Sequence, residues 1–420
     1  MDNKIYTVAI LGVGARGGDV YGRILKTLTE RFKIVSLCDL RRERLDMYGP
    51  EFSVPENARF ESEQEFFKEK RADILIVATQ DADHVRHAIS AFELGYDVLL
   101  EKPITDSKEE CERILAAQKK SGSKALVCHV LRYAPAFLKA KELIESGIIG
   151  QLVTINALER VGYWHQAHSF VRGNWRSTEY TAPMILAKCC HDLDLLQFYA
   201  KSKCKSISSI GDLAYFKKEN APEGSADRCT ECKLVDTCPY SAKKIYIDAW
   251  KDAECPSDTW PFNVISPAPN TEQNLWHAIK DGSYGRCAFQ CDNNVVDHEI
   301  TQMTFENGVK ATLTMMGFTK EGGRRIHFFG TLGEIVLEEL EESITIRLFG
   351  KETTVIDMSV DNVGGYYHGG GDVGLINSLY DAISGKTNAA TSLEASIESH
   401  LMGVYAEFSR LEGGKTINIR

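Results

Sequence analysis

The stretch AILGVGARGGDVYGRIL, residues 9–25, decides the fold of this 420-residue chain. Three of its glycines stand in G-x-G-x-x-G register, after a strand-like apolar run and before a helical pattern. In such a unit the first glycine permits a tight turn, the second lets backbone approach a pyrophosphate, and the third lets helix pack on strand. Helix N-terminal amides would then face the phosphates. The stretch predicts a dinucleotide-binding loop built from Gly12, Gly14, Ala15, Arg16 and Gly17.

An acidic residue at the end of the next predicted strand supports this interpretation. Asp39 lies about 20 residues after Gly17, the spacing at which a carboxylate accepts hydrogen bonds from ribose hydroxyls. Such a carboxylate favours NAD over NADP because it repels a 2′-phosphate. Arg41 and Arg42 weaken this preference, since either could pair with a phosphate. NAD is the predicted cofactor and NADP stays open; a glycine turn beside a surface acid is the structural alternative.

Hydrophobic patterning divides the chain into two parts. Residues 1–128 alternate short apolar runs with amphipathic stretches at 62–70, 83–94 and 107–120, which predicts βαβ units and a parallel sheet. From Ala134 the pattern changes to a helix, a second helix near 183–200, and several long alternating strands, which predict an antiparallel or mixed sheet. The predicted class is α/β, with a Rossmann domain at 1–130 and a second domain at 131–420.

Bulk composition excludes several classes of protein. A net charge of −10 argues against a nucleic-acid partner, because phosphate binding needs a dense basic face. No window holds the eighteen or so apolar residues of a membrane span, and the N-terminus lacks a signal-peptide cleavage site. The 12 cysteines are therefore expected to be reduced thiols or metal ligands, and the chain is expected to be cytoplasmic.

A lysine at a strand end is the first candidate for chemistry. The stretch YDVLLEKPI ends a predicted parallel strand with Glu101, Lys102 and Pro103. Ligands of open α/β sheets bind beyond the carboxyl ends of the strands. There an ammonium group can hold a substrate hydroxyl and stabilise the alkoxide that forms as a hydride leaves. Without further support, a solvated surface lysine would be the better interpretation.

Three stretches resemble one known family: GVGARG, VATQDADHVRHAISAFELGYDVLLEKPI and YAPAFLKAKELIESGIIG. They are similar to the glucose–fructose oxidoreductase, inositol dehydrogenase and MocA-type proteins (Gfo/Idh/MocA family). The resemblance covers the N-terminal half closely and the C-terminal half in outline. It implies an open, mostly antiparallel second sheet through which homodimers or homotetramers form. It also implies NAD(P)-dependent oxidation or reduction of a sugar, polyol or related carbinol, with Lys102 in the active site before an often cis proline.

The resemblance also implies a catalytic histidine. LAKCCHDLDLL, residues 186–196, matches the family's second-domain helix and makes His191 its counterpart. An imidazole with a pKa near 6.5 can take a hydroxyl proton at neutral pH; without the resemblance, a hydrogen-bonded core histidine would be favoured. Many members carry an aspartate where this chain has Ala187, so a simple inositol-dehydrogenase assignment is in doubt. Lys188 would share a helix stripe with His191 and assist it or pair with Asp192.

Further candidates are assigned by resemblance or by residue type. The cofactor-contacting set outside the loop comprises Asp39, Thr79, His84, Glu101 and Lys102. The substrate set comprises Arg132, Tyr133, Trp175, Arg176, Lys188 and His368. Trp175 could stack on a sugar face, and His368 lies in a glycine-rich HGGGD turn before a helix. His129 and Arg132 could equally be interdomain packing groups.

Residues 217–292 look like an insertion without a core of its own. The segment holds half of the 12 cysteines and more than half of the 11 prolines, with little periodicity. Cys229, Cys232 and Cys238 have C-x2-C-x5-C spacing, and a C-x2-C pair is a recurrent zinc half-site. A structural zinc and free thiols are about equally supported, and an iron–sulfur cluster is less so. The candidate fourth ligands are Cys255, His277, Cys287 and Cys291.

Three functions compete. The first is an NAD(P)-dependent carbohydrate oxidoreductase in which Lys102 and His191 handle the proton. The second is an NAD-dependent glycosidase, which some relatives of this fold exemplify: transient oxidation acidifies a neighbouring C–H and permits elimination. Net NADH production separates these two. The third is a non-catalytic nucleotide-binding regulator, against which the intact glycine loop and Lys102 argue.

Overall fold

The computed structural model describes residues 4–359 and 368–419. Its first sheet has six parallel strands in the order β3-β2-β1-β4-β5-β6, the Rossmann order. The strands are β1 (Tyr6–Leu11), β2 (Phe32–Cys38), β3 (Arg59–Phe60), β4 (Ile74–Val77), β5 (Asp97–Leu100) and β6 (Ala125–Val127). Strand β4 is buried along its whole length because helices cover both faces of the sheet. The predicted parallel sheet is confirmed.

Helices cover both faces of the first sheet. After the glycine loop, a π-helical turn at Ala15–Gly22 runs into the first α-helix. The helices of this half are α1 (Arg23–Thr27), α2 (Arg42–Glu51), α3 (Glu63–Phe66), α4 (His84–Glu93) and α5 (Lys108–Ser121). Leu375, Ile376 and Leu379 come from far along the chain, yet they join the same apolar core as β1. The chain's C-terminal region therefore buttresses the Rossmann sheet.

The second sheet has nine strands in the order β14-β13-β12-β11-β7-β10-β9-β8-β15. They are β7 (Leu152–Arg160), β8 (Cys204–Asp212), β9 (His298–Phe305), β10 (Lys310–Met316), β11 (Gly323–Gly330), β12 (Gly333–Glu338), β13 (Ser343–Leu348), β14 (Thr354–Asp357) and β15 (Ile417–Asn418). Among the strands that the structure describes in this sheet, only β7 and β10 pair in parallel. Side chains of β9 alternate between buried and exposed, as expected when one face packs on the core. The expected mixed, mostly antiparallel sheet is confirmed.

The helices of the second half are α6 (Pro135–Glu145), α7 (Tyr163–His165), α8 (Met184–Ala187), α9 (Cys190–Ala200), α10 (Ala249–Asp252), α11 (Phe262–Ile265), α12 (Glu272–Asp281), α13 (Gly371–Ile383) and α14 (Leu393–Leu411). Of these, α6, α9 and α14 pack on the second sheet, whereas α13 packs on the Rossmann sheet. The single helix predicted near 183–200 is wrong: α8 and α9 are separate, and Lys188 and Cys189 lie in the break. Lys188 therefore does not share a helix stripe with His191.

The insertion has more internal packing than its composition predicts. A π-helical turn at Lys244–Asp248 continues into α10, and α12 follows after α11. Tyr246, Leu275 and Ile279 are fully buried in a cluster that also includes Ala167. The insertion thus folds around apolar residues of its own against the second domain. Among the helices that the structure describes, none is long and apolar enough to cross a membrane.

Candidate active site

Two glycines of the loop sit where no side chain fits. Gly12 adopts a φ of +89°, and a Cβ there would lie 2.4 Å from the carbonyl oxygen of Ala78. A Cβ at Gly17 would lie 2.0 Å from the carbonyl oxygen of Gly12. Strand β1, the loop and the end of β4 therefore touch through bare backbone. This close approach forms the cradle that a pyrophosphate group requires.

Asp39 lies directly beside this cradle at the end of β2. Its carboxylate accepts hydrogen bonds from the backbone N–H of Val13 at 2.8 Å and of Arg41 at 2.9 Å. The guanidinium of Arg44 approaches the same carboxylate at 3.3 Å. Arg42 instead pairs with acids on the protein surface. Of the two arginines singled out in the sequence, only Arg41 lines the cleft, and Arg44 joins it there.

A cleft of about 450 Å³ opens between the glycine loop and the insertion. Two contacts join its walls: Arg23 pairs with Asp258 at 3.0 Å, and the side-chain amide of Asn263 donates to Asp19 at 3.4 Å. A cleft of this size is typical of cofactor sites. With the glycine cradle and Asp39, it fits a dinucleotide. The insertion supplies one wall of the cleft, which no motif in the sequence indicated.

Substituting Asp39 is expected to shift cofactor preference. In Asp39→Asn the repulsion of a 2′-phosphate is lost while Arg41 and Arg44 remain, so the ratio of kcat/KM with NADP to that with NAD should rise at least about tenfold. Initial rates with both cofactors measure the ratio. Arg42→Ala is the control, because Arg42 pairs away from the cleft. An unchanged ratio in Asp39→Asn would show that Asp39 does not set the preference.

A buried ionic network supports the strand that carries the lysine. Glu101 accepts hydrogen bonds from the Arg16 guanidinium at 2.6 Å, the Tyr21 hydroxyl at 2.6 Å and the Lys102 backbone N–H at 2.9 Å. Arg16 also pairs with buried Asp372 at 2.6 Å. Burial raises the pKa of Glu101, but the positive charges of Arg16 and Lys102 have the larger effect. The pKa therefore lies below its usual value, and the carboxylate is ionised. The side chains of Arg16 and Glu101 thus stabilise the strand end that carries Lys102. Arg16 contributes to the glycine loop only through its backbone.

Lys102 and His191 lie near each other at the carboxyl edge of the first sheet. The Lys102 ammonium donates to the carbonyl oxygen of Ala187 at 3.0 Å, and the Lys102–Pro103 peptide bond is cis. That carbonyl is available because α8 ends at Ala187, where carbonyls lack intrahelical partners. Burial and the positive charge of Lys102 lower the pKa of His191 well below its usual value. His191 is therefore a neutral imidazole close to an ammonium group, and its Nδ1 has no hydrogen-bond partner among the described residues.

His84 and Thr79 tie neighbouring strand ends together. The ring nitrogens of His84 lie 2.6 Å from the carbonyl oxygen of Pro103 and 3.1 Å from that of Thr79. The Thr79 hydroxyl lies 3.0 Å from Nδ1 of His87. Both predicted residues are thus at the carboxyl edge, as the sequence indicated. Their polar atoms hold the turn that carries Lys102.

Four of the predicted substrate residues make their contacts away from Lys102. Arg132 is buried and makes a two-pronged ion pair with Asp194 at 2.6 and 2.7 Å, which is the interdomain packing alternative. The Tyr133 hydroxyl bonds Thr391 at 2.9 Å. Arg176 pairs with Asp292 on the surface, and Trp175 packs against the core of the second sheet. The structure does not bring these four residues together with Lys102.

Lys188 belongs to a buried cluster of charges behind His191. Its ammonium lies 2.9 Å from Glu159, and Arg324 reaches Glu159 at 3.1 Å and Asp192 at 2.8 Å. Arg324 and Lys188 outweigh the effect of burial and hold the pKa of Glu159 below its usual value; burial raises the pKa of Asp192 despite Arg324. Lys188 therefore pairs with Glu159, and Asp192 pairs with Arg324. This cluster fixes the N-terminus of α9 and so the position of His191.

Removing Arg324 is expected to destabilise the protein strongly. Arg324→Met leaves Glu159 and Asp192 buried without their shared partner, which costs about 3–5 kcal/mol. Arg325 is the matched control, since it is the next residue of β11, half-exposed and 3.9 Å from Glu338. Arg325→Met should cost less than about 1 kcal/mol. The unfolding midpoints of both variants in urea measure the difference, and equal midpoints would contradict the role of the cluster.

An aromatic wall, formed by Trp164, His165 and Trp260, lies in the second domain, with His165 near Lys188 and Lys102. His165 lies at the end of α7, and burial together with Lys188, His168 and Lys102 lowers its pKa well below the usual value. The ring of Trp260, from the insertion, lies 5.0 Å from His165 and 5.3 Å from Trp164. Sequence reasoning missed these residues. The aromatic richness of GYWHQAHSF, residues 162–170, was the one available signal.

The cysteines of the insertion are not arranged as a metal site. Cys229, Cys232, Cys238 and Cys287 line a cavity of about 20 Å³. Nevertheless, within residues 4–359 and 368–419 no group of three or more ligand-type side chains is placed to hold an ion, and no two cysteines form a disulfide there. Burial raises the pKa of Cys238 and of Cys287. Of the two alternatives that the sequence left about equal, the structure therefore gives no support to the zinc. The apolar cluster and the buried Arg172, which donates to the carbonyl oxygens of Arg286 and Tyr240, organise the insertion.

Comparison with known proteins places these features in a family. Residues 6–129 match the model of the oxidoreductase family with an NAD-binding Rossmann fold (GFO_IDH_MocA), and residues 141–415 match the model of its C-terminal α/β domain. The chain is 24% identical over 417 residues to YteT of Bacillus subtilis (strain 168), which carries the name of an oxidoreductase; the alignment covers 92% of this chain and 93% of YteT.

Two further relatives agree with this assignment. Inositol 2-dehydrogenase of Salmonella paratyphi B is 22% identical over 214 residues, which cover 50% of this chain and 58% of that enzyme. The crystal structure of an oxidoreductase from Agrobacterium radiobacter in complex with NAD+, L-tartaric acid and magnesium superposes with a TM-score of 0.70 at 14% identity, covering 99% of this chain and 98% of that one. The last likeness shows the fold. Because the two family models together span almost the whole chain, the protein belongs to the Gfo/Idh/MocA family of NAD-binding oxidoreductases.

Proposed function

We propose that this protein transfers a hydride between NAD and a carbinol carbon of a sugar, polyol or sugar derivative. The observation that carries the proposal is the proximity of Lys102 and His191 at the sheet edge beside the glycine cradle. An ammonium group and a neutral imidazole are the two groups that alcohol oxidation requires. When bound, NAD supplies the hydride acceptor.

Lys102 binds and polarises the reacting hydroxyl group. Its ammonium already has one partner, the carbonyl oxygen of Ala187, and an ammonium has three donors in total. A free donor can therefore reach a substrate oxygen while the carbonyl keeps the side chain extended. As the carbon loses its hydride, negative charge grows on that oxygen, and the ammonium stabilises it in a site shielded from water.

His191 accepts the proton of that hydroxyl. Its lowered pKa keeps the imidazole unprotonated at neutral pH, so a ring nitrogen is available as a base. In the reverse direction the same residue would donate the proton to the alkoxide. Where the family resemblance implies an aspartate, this chain has Ala187, whose backbone carbonyl accepts a hydrogen bond from Lys102.

Carbohydrate as the substrate class has two supports. The aromatic wall of Trp164, His165 and Trp260 offers ring faces beside the two lysines, and aromatic rings pack well against the apolar C–H faces of sugars. The family relatives include inositol 2-dehydrogenase, which acts on a polyol. The departure at Ala187 argues against taking inositol itself as the substrate.

A screen of substrates tests the proposal. Sugars, sugar acids, polyols and glycosides are each incubated with the protein and NAD or NADP, and absorbance of the reduced nicotinamide is followed together with release of free sugar. Stoichiometric NADH with at least one carbinol supports the proposal. Absence of both NADH and sugar release across the panel, with calorimetry still showing NAD binding, would contradict it.

The insertion favours a second candidate, an NAD-dependent glycosidase. The contacts of Asp258 with Arg23 and of Asn263 with Asp19 join the two walls of the cofactor cleft, an arrangement suited to retaining the cofactor through turnover. A redox-neutral reaction needs such retention because the same nicotinamide must return its hydride. Sugar release from a glycoside without accumulation of NADH in the same screen would select this candidate.

A self-association surface is also proposed on the open face of the second sheet. Ile210 of β8 and Ile300 of β9 are direct cross-strand partners, and their side chains are 56% and 41% exposed. A paired apolar surface on a long sheet is suited to packing against a second copy. Light scattering after gel filtration should give a dimer or tetramer, and a monomeric mass would contradict this.

A further inference from the structure

The proton accepted by His191 needs a path to solvent. His191 is 5% exposed, and its Nδ1 has no partner among the described residues. Ala187, four residues before His191, has a side chain that cannot carry a proton. A nearby side chain that reaches solvent could receive the proton from the imidazole.

Two imidazole rings lie near His191. The centroid of His129 is 6.1 Å away and that of His368 is 5.8 Å away. His129 is buried and lies 3.0 Å from Asp194, and despite burial this carboxylate raises the pKa of His129 to about 9. A histidine that is already protonated cannot accept a further proton. His129 therefore cannot accept the proton from His191, and His368 is the other imidazole nearby.

His368 has the geometry of an oriented base that reaches solvent. Its Nδ1 lies 3.0 Å from a carboxylate oxygen of Asp372, which is fully buried and held from its other side by Arg16. This contact assigns the proton of the neutral ring to Nδ1 and leaves the lone pair of Nε2 free. The His368 side chain is 33% exposed. Its φ of +58° is rare for a residue other than glycine, and such strain concentrates at functional sites.

We infer that His368, oriented by Asp372, relays the substrate's proton from His191 to solvent. The inference rests on the function proposed above. In the step, the hydroxyl O–H bond breaks and its proton passes to His191, then to Nε2 of His368 and finally to water. Each imidazole returns to its neutral form, and no oxidant other than the nicotinamide is involved. Ring centroids 5.8 Å apart leave room for one bridging water.

The charges around the two rings favour transfer outward. The groups that face His191 are Lys102, Arg324, His129 and His368. The groups that face His368 are Asp372, Arg16 and Arg324. None of the four groups facing His191 is a carboxylate. Burial lowers the pKa of His368 below its usual value, but Asp372 opposes this effect by stabilising the protonated ring. A proton on His191 is therefore less stable than one on His368, which is itself in contact with water.

His368→Ala tests the relay through a signature that a structural role would not produce. In a buffer of bulky ions that accept protons poorly, kcat should fall at least about tenfold, and added imidazole should restore it in a concentration-dependent way. A solvent deuterium isotope effect should appear in the variant, since proton transfer becomes limiting. Wild-type kcat should not respond to imidazole. His277→Ala is the matched control, because His277 is fully at the surface, and it should behave as wild type.

A measurement on the protein without substrate tests the orientation independently of turnover. Spectra of protein labelled with ¹⁵N-histidine should show His368 as the Nδ1–H tautomer, and Asp372→Asn should abolish that preference. A wild-type kcat in His368→Ala, or a loss that imidazole does not reverse and D2O does not increase, would overturn the relay. If the wild-type protein oxidised no carbinol, the proposed function would fail first and the relay with it, whereas a defect confined to His368→Ala concerns the relay alone.

Discussion

Lys102→Met is expected to lower kcat for carbinol oxidation by about 100- to 1,000-fold, the usual effect of removing one preorganised donor to a developing oxyanion. NAD affinity should change little, because the glycine cradle and Asp39 are untouched. Methionine preserves the length of the side chain, so the pocket keeps its shape. Stopped-flow measurement of the first turnover separates hydride transfer from product release and is the readout.

A second lysine provides the control for this experiment. Lys124 precedes β6 and, like Lys102, donates to backbone carbonyl oxygens, those of Ala382 and Ile383 at 2.7 and 2.9 Å. Lys124→Met therefore removes a similar structural bond without touching the site, and its kcat should match that of the wild type. Lys102→Arg should retain part of the rate because it keeps the positive charge. If Lys102→Met kept more than a tenth of wild-type kcat, Lys102 would have no role in the chemical step.

The Rossmann half was predictable from sequence because its signals are local. Strands β4 and β5 are short continuous apolar runs, as expected where helices cover both faces of a sheet. The glycine pattern predicts the shape of the loop directly, because there is no room for a side chain at Gly12 or Gly17. The same logic located Lys102, which follows β5 at the edge where ligands of such sheets bind.

The break between α8 and α9 was not predictable in this way. The apolar spacing of LAKCCHDLDLL continues through it, so the pattern predicts one helix. The break is compatible with distant partners: Lys102 bonds the carbonyl of Ala187, Glu159 binds Lys188, and Arg324 binds Asp192. These partners come from three separate strands or strand ends. A local pattern carries no information about them.

The insertion shows the same limit for the site. Its residues were judged by composition, which pointed to cysteines and a metal. Its packing instead depends on Tyr246 in the turn Lys244–Asp248 and on Leu275 and Ile279 in α12. Trp260 lies beside His165 and Asp258 pairs with Arg23 only because that packing folds the segment back over the Rossmann domain. Arg44 is a comparable case, since its position next to Asp39 depends on the start of α2.

Gly12→Ala is expected to abolish NAD binding as measured by calorimetry and to lower the thermal unfolding midpoint. Two costs add at this position. An alanine at a φ of +89° is strained by about 1–2 kcal/mol, and its Cβ would stand 2.4 Å from the Ala78 carbonyl oxygen, so β1 and β4 must separate. The pyrophosphate cradle is formed by that same contact, and its distortion removes the close backbone approach that a dinucleotide needs.

Gly122→Ala separates these two costs. Gly122 ends α5 with a φ of +72°, and no atom lies within 4 Å of the place where its Cβ would be. The only cost in this variant is therefore backbone strain. We expect a lower unfolding midpoint and an NAD affinity equal to that of the wild type. The difference between Gly12→Ala and Gly122→Ala isolates the effect of the close approach. If the two variants bound NAD equally well, the contact between the loop and the end of β4 would not be what makes this site, and the cofactor would have to bind elsewhere in the cleft.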